Sequence, residues 1–179
     1  MSVKIMADER TMKEVVEWHR DLYESPAIDP KLKGIIRDAP QSKLSDWDIH
    51  RMLRLSRSVF FGTHVEVVSG HHTATYLRFP SIARFPQLVR LIARDMADWV
   101  RTTFQKDPVV GIVAPASEAR LLADGVADLL HDEMPVRIVL TPYSPESGKI
   151  GTEVSPGAIK GGDRFLALND VTTRGNCVS

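Results

Sequence analysis

The sequence predicts an α/β fold whose core is a parallel sheet. Three short apolar runs lie in the second half of the chain, at residues 109–113, 136–140 and 165–168, and a helical pattern separates the first two. Continuous apolar runs are typical of parallel strands buried on both faces and joined by right-handed crossovers. We therefore expect helices on both faces of the sheet, and ligands beyond the carboxyl ends of its strands.

The composition limits the size of the protein and its partners. A chain of 179 residues with 43% hydrophobic residues can bury one sizeable core, but hardly two large domains. Lys plus Arg and Asp plus Glu both total 23, so no overall charge attracts nucleic acid or an anionic membrane. Cys177 is the only cysteine, and neither a signal peptide nor a membrane-length apolar run occurs. We expect a cytoplasmic protein.

An accessory part is expected over residues 1–80. Apolar side chains at helical spacing predict a helix over residues 11–24, and Ser45 with Asp48 three positions later predicts the capped start of a second helix. β-branched and aromatic residues on both sides of Ser69 and Gly70 then predict two strands joined by a turn.

The α/β core is expected over residues 81–179. Apolar residues three and four apart predict a long amphipathic helix over residues 86–104, and a second helical pattern covers residues 118–130. A loop rich in Pro and Gly precedes the last apolar run.

The stretch "FLALNDVTTRGNC" at residues 165–177 has the chemistry of a sugar-phosphate site. A buried strand delivers Asn169 and Asp170 to the edge of the sheet, and small hydroxyl residues with a glycine follow. Exposed backbone N–H groups, threonine hydroxyls and a flexible glycine suit phosphate, while the acid can accept hydrogen bonds from sugar hydroxyls. The alternative is an ordinary turn in which Asp170 or Thr173 caps a helix.

This stretch resembles the ribose-phosphate signature of type I phosphoribosyltransferases. The resemblance implies that Asn169 and Asp170 bind the ribose of phosphoribosyl pyrophosphate (PRPP). Asn169 stands where that family has an acid. The turn would wrap the 5-phosphate, and its residues are Thr172, Thr173, Arg174 and Gly175.

Two further segments resemble the same family in the same order. "VVGIVAPASEARLLADGVADLL" is similar to its first core strand, pyrophosphate loop and following helix, which implies a pyrophosphate loop at Pro115, Ala116 and Ser117. "GTHVEVVSGHHTATYLRF" resembles the base-binding segment of orotate phosphoribosyltransferases. It implies a base site formed by Ser69, Gly70, His71 and Tyr76.

Ordinary structural roles remain open for several of these residues. Ser117 can serve as a helix cap and Tyr76 as a core residue of a strand. His71 and His72 are not expected to share a metal ion, because adjacent side chains on a strand point to opposite faces.

In the family that the chain resembles, the loop after the second core strand closes over pyrophosphate. The resemblance makes Lys149 of this loop the candidate for a catalytic phosphate contact, and Asp170 is the second catalytic candidate. That loop contains Lys149 and Lys160 but no histidine. The lysine can equally be an ordinary solvated one. The resemblance further implies Mg²⁺ held mainly by substrate oxygens and water, no metal site made by the protein alone, and a homodimer.

We therefore expect a phosphoribosyltransferase of pyrimidine nucleotide biosynthesis that transfers ribose 5-phosphate from PRPP to orotate or a related base. The alternative is a non-catalytic module that binds PRPP or a nucleotide, which Asn169 and the histidine-free loop favour. Only four residues follow Gly175, whereas the family continues with a strand and a helix. We accordingly expect a truncated chain whose phosphate turn is poorly supported or held by a neighbouring chain.

Overall fold

A computed structural model of the chain describes residues 4–5, 44–66, 70, 72–144, 147 and 149–171. The chain divides into two compact units. The first extends to Phe85 and includes Ser147, and the second holds Pro86–Ser144 with the residues from Lys149 onwards. The helix predicted over residues 11–24 and the phosphate turn at residues 172–177 lie outside the described residues.

The first unit contains helix α1, Asp46–Leu55. The Ser45 hydroxyl accepts a hydrogen bond from the Asp48 amide at 3.2 Å, and the Asp48 carboxylate accepts one from the Ser45 amide at 3.1 Å. These reciprocal bonds satisfy N–H groups that a helix start otherwise leaves unpaired. The capping box predicted from the sequence is confirmed.

Three antiparallel strands follow the order β1-β2-β3 in this unit: β1 Lys4–Ile5, β2 Val59–Glu66 and β3 His72–Leu77. Strands β2 and β3 are the predicted pair on either side of the turn. Their register shifts between Phe61 and Val65, where Gly62 has a φ of +66° that favours glycine. A short helix α2, Phe79–Ala83, comes next.

The second unit begins with helix α3, Pro86–Thr103, and continues through helix α4, Ala119–Leu130. Its strands are β4 Gly111–Pro115, β5 Arg137–Thr141, β6 Tyr143–Ser144, β7 Lys149–Ile150 and β8 Phe165–Ala167. Strands β5, β4 and β8 form a parallel sheet in that order, and β6 and β7 pair as a separate hairpin. The predicted α/β class is confirmed.

The core of this unit lies between α4 and the central strand β4. Ile112 of β4 and Val126 of α4 are fully buried, and α4 packs on β4, β5 and α3. Gly125 allows α3 to come close, because a Cβ at that position would lie 2.9 Å from the Ala93 Cβ. No helix in the described part of the chain is long and apolar enough to cross a membrane.

Candidate functional site

Three loops meet at the carboxyl edge of the parallel sheet. The ladder of backbone hydrogen bonds continues past the strand ends: Ala116 donates to the Thr141 carbonyl and Leu168 to the Val113 carbonyl, each at 2.9 Å. These bonds hold the segments after β4, β5 and β8 at one edge. Residues 116–118, 142–143 and 169–171 are therefore the candidate site that strand polarity predicts.

Asp170 is the partly buried carboxylate of this edge. Burial raises its pKa above the usual 3.8, and the negative charge of Glu118 raises it further. The backbone N–H groups of Asp170 and Val171 donate to the carboxylate and oppose the increase only in part. A partly buried carboxylate that solvent stabilises poorly is prepared to accept hydrogen bonds from a neutral hydroxyl ligand.

Asn169 stabilises the turn that carries Asp170. Its side-chain oxygen accepts a hydrogen bond from the Asp170 amide at 3.0 Å, and its side-chain nitrogen donates to the Val171 carbonyl at 2.9 Å. Both ends of the amide are thus engaged by backbone atoms of the turn. Asn169 acts here on the conformation of residues 169–171.

Tyr143 and Glu118 join Asp170 at the site, although sequence reasoning singled out neither. Burial raises the pKa of the Tyr143 phenol above 10.0, and the negative charges of Asp170 and then Glu118 raise it further. The phenol therefore stays protonated and can donate a hydrogen bond at neutral pH. Both residues follow predicted strands within a few positions, so the rule of carboxyl strand ends would have found them.

The predicted pyrophosphate loop lies between β4 and α4, and its amides are hydrogen-bonded within the chain. Ala116 donates to Thr141, and Ser117 donates to the Pro115 carbonyl at 2.7 Å. The Ser117 hydroxyl accepts from the Ala119 amide at 3.2 Å, although Glu118 is the residue at the N-cap position. A pyrophosphate group could use the Ala116 and Ser117 amides only by replacing these bonds.

Lys149 lies on the β6–β7 hairpin, where its Cα pairs with that of Ser144 and Ile150 pairs with Tyr143. Opposed residues of a hairpin share a face, and consecutive residues alternate between faces. Lys149 therefore lies on the face of the hairpin opposite Tyr143, and its side chain is exposed.

The residues predicted to bind the base belong to the first unit. Tyr76 packs against Phe60 across β2 and β3, with ring centroids 6.2 Å apart. Gly70 has a φ of +75°, as expected in a turn. Ser69 and His71 lie outside the described residues, as do Thr172, Thr173, Arg174 and Gly175.

No protein-family model and no curated protein matches the chain. Among solved structures, it is similar to UMP synthase from Leishmania donovani, with a TM-score of 0.48 and 21% identity over 70% of this chain and 25% of that one. It is also similar to the orotate phosphoribosyltransferase of Francisella tularensis, with a TM-score of 0.49 and 12% identity over 73% of this chain and 59% of that one.

The chain thus spans about a quarter of the first structure and about three fifths of the second. The likeness concerns the fold alone.

Proposed function

We propose that the carboxyl edge of the β5-β4-β8 sheet binds the ribose phosphate of PRPP. The observation that carries this proposal is the position of Asp170: a partly buried carboxylate, at the end of β8, whose pKa is raised by burial and by Glu118. A ribose offers two neighbouring hydroxyl donors to such an acceptor. Their hydrogen bonds would replace solvent that the carboxylate lacks.

Each residue of the edge has a distinct part in the proposal. Asp170 accepts hydrogen bonds from the ribose, and Asn169 positions it by fixing the turn. Tyr143 donates a hydrogen bond from its phenol to a ligand oxygen. Thr172, Thr173, Arg174 and Gly175 would surround the 5-phosphate, as the sequence resemblance implies.

Catalysis by this site would transfer ribose 5-phosphate from PRPP to a nucleobase, namely orotate or a related pyrimidine. The protein would hold the sugar and the base in line and stabilise the positive charge that develops on the sugar as pyrophosphate leaves. The negative charges of Asp170 and Glu118 would favour that cationic state. Lys149 would contact pyrophosphate from the β6–β7 hairpin.

Mg²⁺ fits the donor chemistry of this edge, since the carboxylates of Asp170 and Glu118 are the hard oxygen ligands that it prefers. When bound, the ion would neutralise charge on the pyrophosphate. Most of its ligands would be substrate oxygens and water, because the described residues contain no group of three or more His, Cys, Asp or Glu side chains that could hold a metal ion.

A non-catalytic PRPP-binding or nucleotide-binding module is the second candidate. The Asn169 side chain favours this candidate. Its amide is hydrogen-bonded within its own turn. As a neutral group, it also adds no negative charge beside the sugar. Such a module would bind PRPP through Asp170 and release no pyrophosphate.

One experiment separates the two candidates. The full chain is titrated with PRPP in the presence of Mg²⁺, and pyrophosphate release is then measured with orotate, uracil and the common purine bases. Binding with release for one base supports the enzyme, and binding without release for any base supports the module. Absence of PRPP binding would exclude both the enzyme and a PRPP-binding module.

A further inference from the structure

The imidazole rings of His64 and His72 meet on the first unit. Nε2 of His64 and Nδ1 of His72 are in hydrogen-bond contact, and the ring centroids lie 4.5 Å apart at an interplanar angle of 63°. Both side chains are exposed to solvent. Two ring nitrogens therefore converge at an accessible position.

The register of β2 and β3 produces this contact. Glu66 is the Cα partner of His72, and His64 lies two residues before Glu66 on the same strand. Residues two apart on a strand share a face, and so do directly opposed residues. The three side chains therefore belong to one face of the hairpin. His71 and His72, as neighbours on a strand, are not expected to share an ion, whereas His64 and His72 lie on one face.

We propose that His64 and His72 form a binding site for a late first-row divalent cation of the Zn²⁺, Ni²⁺ or Cu²⁺ class. Neutral imidazole nitrogen is a preferred ligand of these ions, at about 2.0–2.1 Å from zinc. In the contact between the rings, one nitrogen carries a hydrogen and donates the hydrogen bond, and the other nitrogen accepts it through its lone pair. Rotating one ring to present its unprotonated nitrogen directs two lone pairs at one ion, with the rings slightly further apart.

The rest of the coordination sphere is water. Glu66 lies on the same face and adds a negative charge, but no third ligand completes the pair among the residues that the structure describes. The site is thus open and weak, and it is selective by ligand type. Mg²⁺ prefers oxygen ligands and should not compete for the two imidazoles. The ion preference of this site therefore differs from that of the proposed PRPP edge.

The test uses the full chain without an affinity tag, titrated separately with Ni²⁺, Zn²⁺ and Mg²⁺ and followed by calorimetry and by imidazole NMR signals. We expect saturable binding of one equivalent of Ni²⁺ or Zn²⁺, and none of Mg²⁺, at this site. His64→Ala and His72→Ala should each weaken binding about tenfold or more, because the chelate is lost. Both changes are at exposed positions, so the fold should persist.

His50→Ala is the matched control, since His50 is also exposed but lies on α1 beside Trp47, with ring centroids 6.5 Å apart. It should leave the affinity unchanged. Equal affinity for the wild-type chain, His64→Ala and His72→Ala would overturn the proposal. So would loss of binding in His71→Ala with retention in His64→Ala, because the ligands would then be a different set.

Discussion

Burial and, after it, the carboxylate of Asp170 raise the pKa of the Tyr143 phenol, although the two residues follow opposite outer strands of the sheet. Tyr143 follows β5, Asp170 follows β8, and β4 lies between them. Glu118, at the start of the helix after β4, raises the pKa of both groups. Three loops of one sheet edge thus form a single electrostatic cluster.

Asp170→Asn should stabilise the fold while weakening PRPP binding. The raised pKa of Asp170 means that the folded chain binds its proton more tightly than the unfolded chain. Its contribution to stability therefore falls as pH rises from about 3.8 through the folded pKa. At neutral pH the variant should melt at a higher temperature than the wild-type chain, and it should bind PRPP roughly 5- to 150-fold more weakly.

Asp163→Asn is the control of opposite sign. A backbone hydrogen bond from Lys160 and the side chain of Arg137 lower the pKa of Asp163. Its stabilising contribution is present above pH 3.8 and is lost as pH falls through the lower folded pKa. This variant should therefore melt lower at neutral pH. An Asp170→Asn chain that melts lower and binds PRPP normally would remove Asp170 from the site.

The Tyr143 phenol should titrate above its usual pKa, and Asp170→Asn should lower that pKa. The substitution removes the negative charge of Asp170 from beside the phenol, while burial and the charge of Glu118 remain. NMR of ring-labelled tyrosine resolves the three tyrosines, and Tyr143→Phe assigns the signal. An identical Tyr143 titration in the wild-type and Asp170→Asn chains would show that the charge of Asp170 does not act on the phenol.

Gly111→Ala should destabilise the second unit by about 3 kcal/mol or more, the upper range for overpacking. A Cβ on Gly111 would lie 2.7 Å from the Arg137 carbonyl oxygen and 2.8 Å from Cδ1 of Phe165. The added methyl group would clash with both strands that flank β4, namely β5 and β8. Denaturant unfolding measures the loss.

Gly161→Ala provides the comparison for that variant, because a Cβ there meets nothing within 4 Å. Its stability should be unchanged or higher by about 0.4–1 kcal/mol, since alanine reduces the freedom of the unfolded chain. Similar unfolding free energies for the two variants would contradict the packing described for β4.

Ser45→Ala should destabilise α1 by about 0.5–2 kcal/mol through loss of the N-cap. The same change should raise the pKa of Asp48 towards 3.8, because the Ser45 side chain is the largest cause of its lowering. Urea unfolding and carboxyl NMR titration report the two effects. An unshifted Asp48 in a destabilised variant would show that the reciprocal bonds do not act on the carboxylate.

The sequence predicted the elements whose signals are local. Ser45 and Asp48 marked the start of α1, and apolar periodicity predicted α3 and α4 with close to their observed bounds. The three apolar runs predicted β4, β5 and β8, although β4 begins at Gly111, two residues later than its run. A buried strand's hydrogen bonds, rather than its apolarity, set that boundary.

Other features depend on partners distant in the sequence. Strand β1 is only two residues long and exists by pairing with β2, and the β6–β7 hairpin lies in a segment that reads as loop. The contact of His64 with His72 depends on strand register, and the raised pKa of Tyr143 depends on three converging loops. No periodicity encodes these relationships.

The central claim is that PRPP binds at the edge defined by Asp170 and Tyr143. The most direct measurement is a PRPP titration of the full chain with Mg²⁺, followed through the Tyr143 ring signal and the Val171 amide, with Asp170→Asn in parallel. We predict saturable shifts of both signals and a clearly weaker affinity in the variant. Shifts absent from both signals at saturating PRPP, or equal affinities for the two chains, would contradict the account.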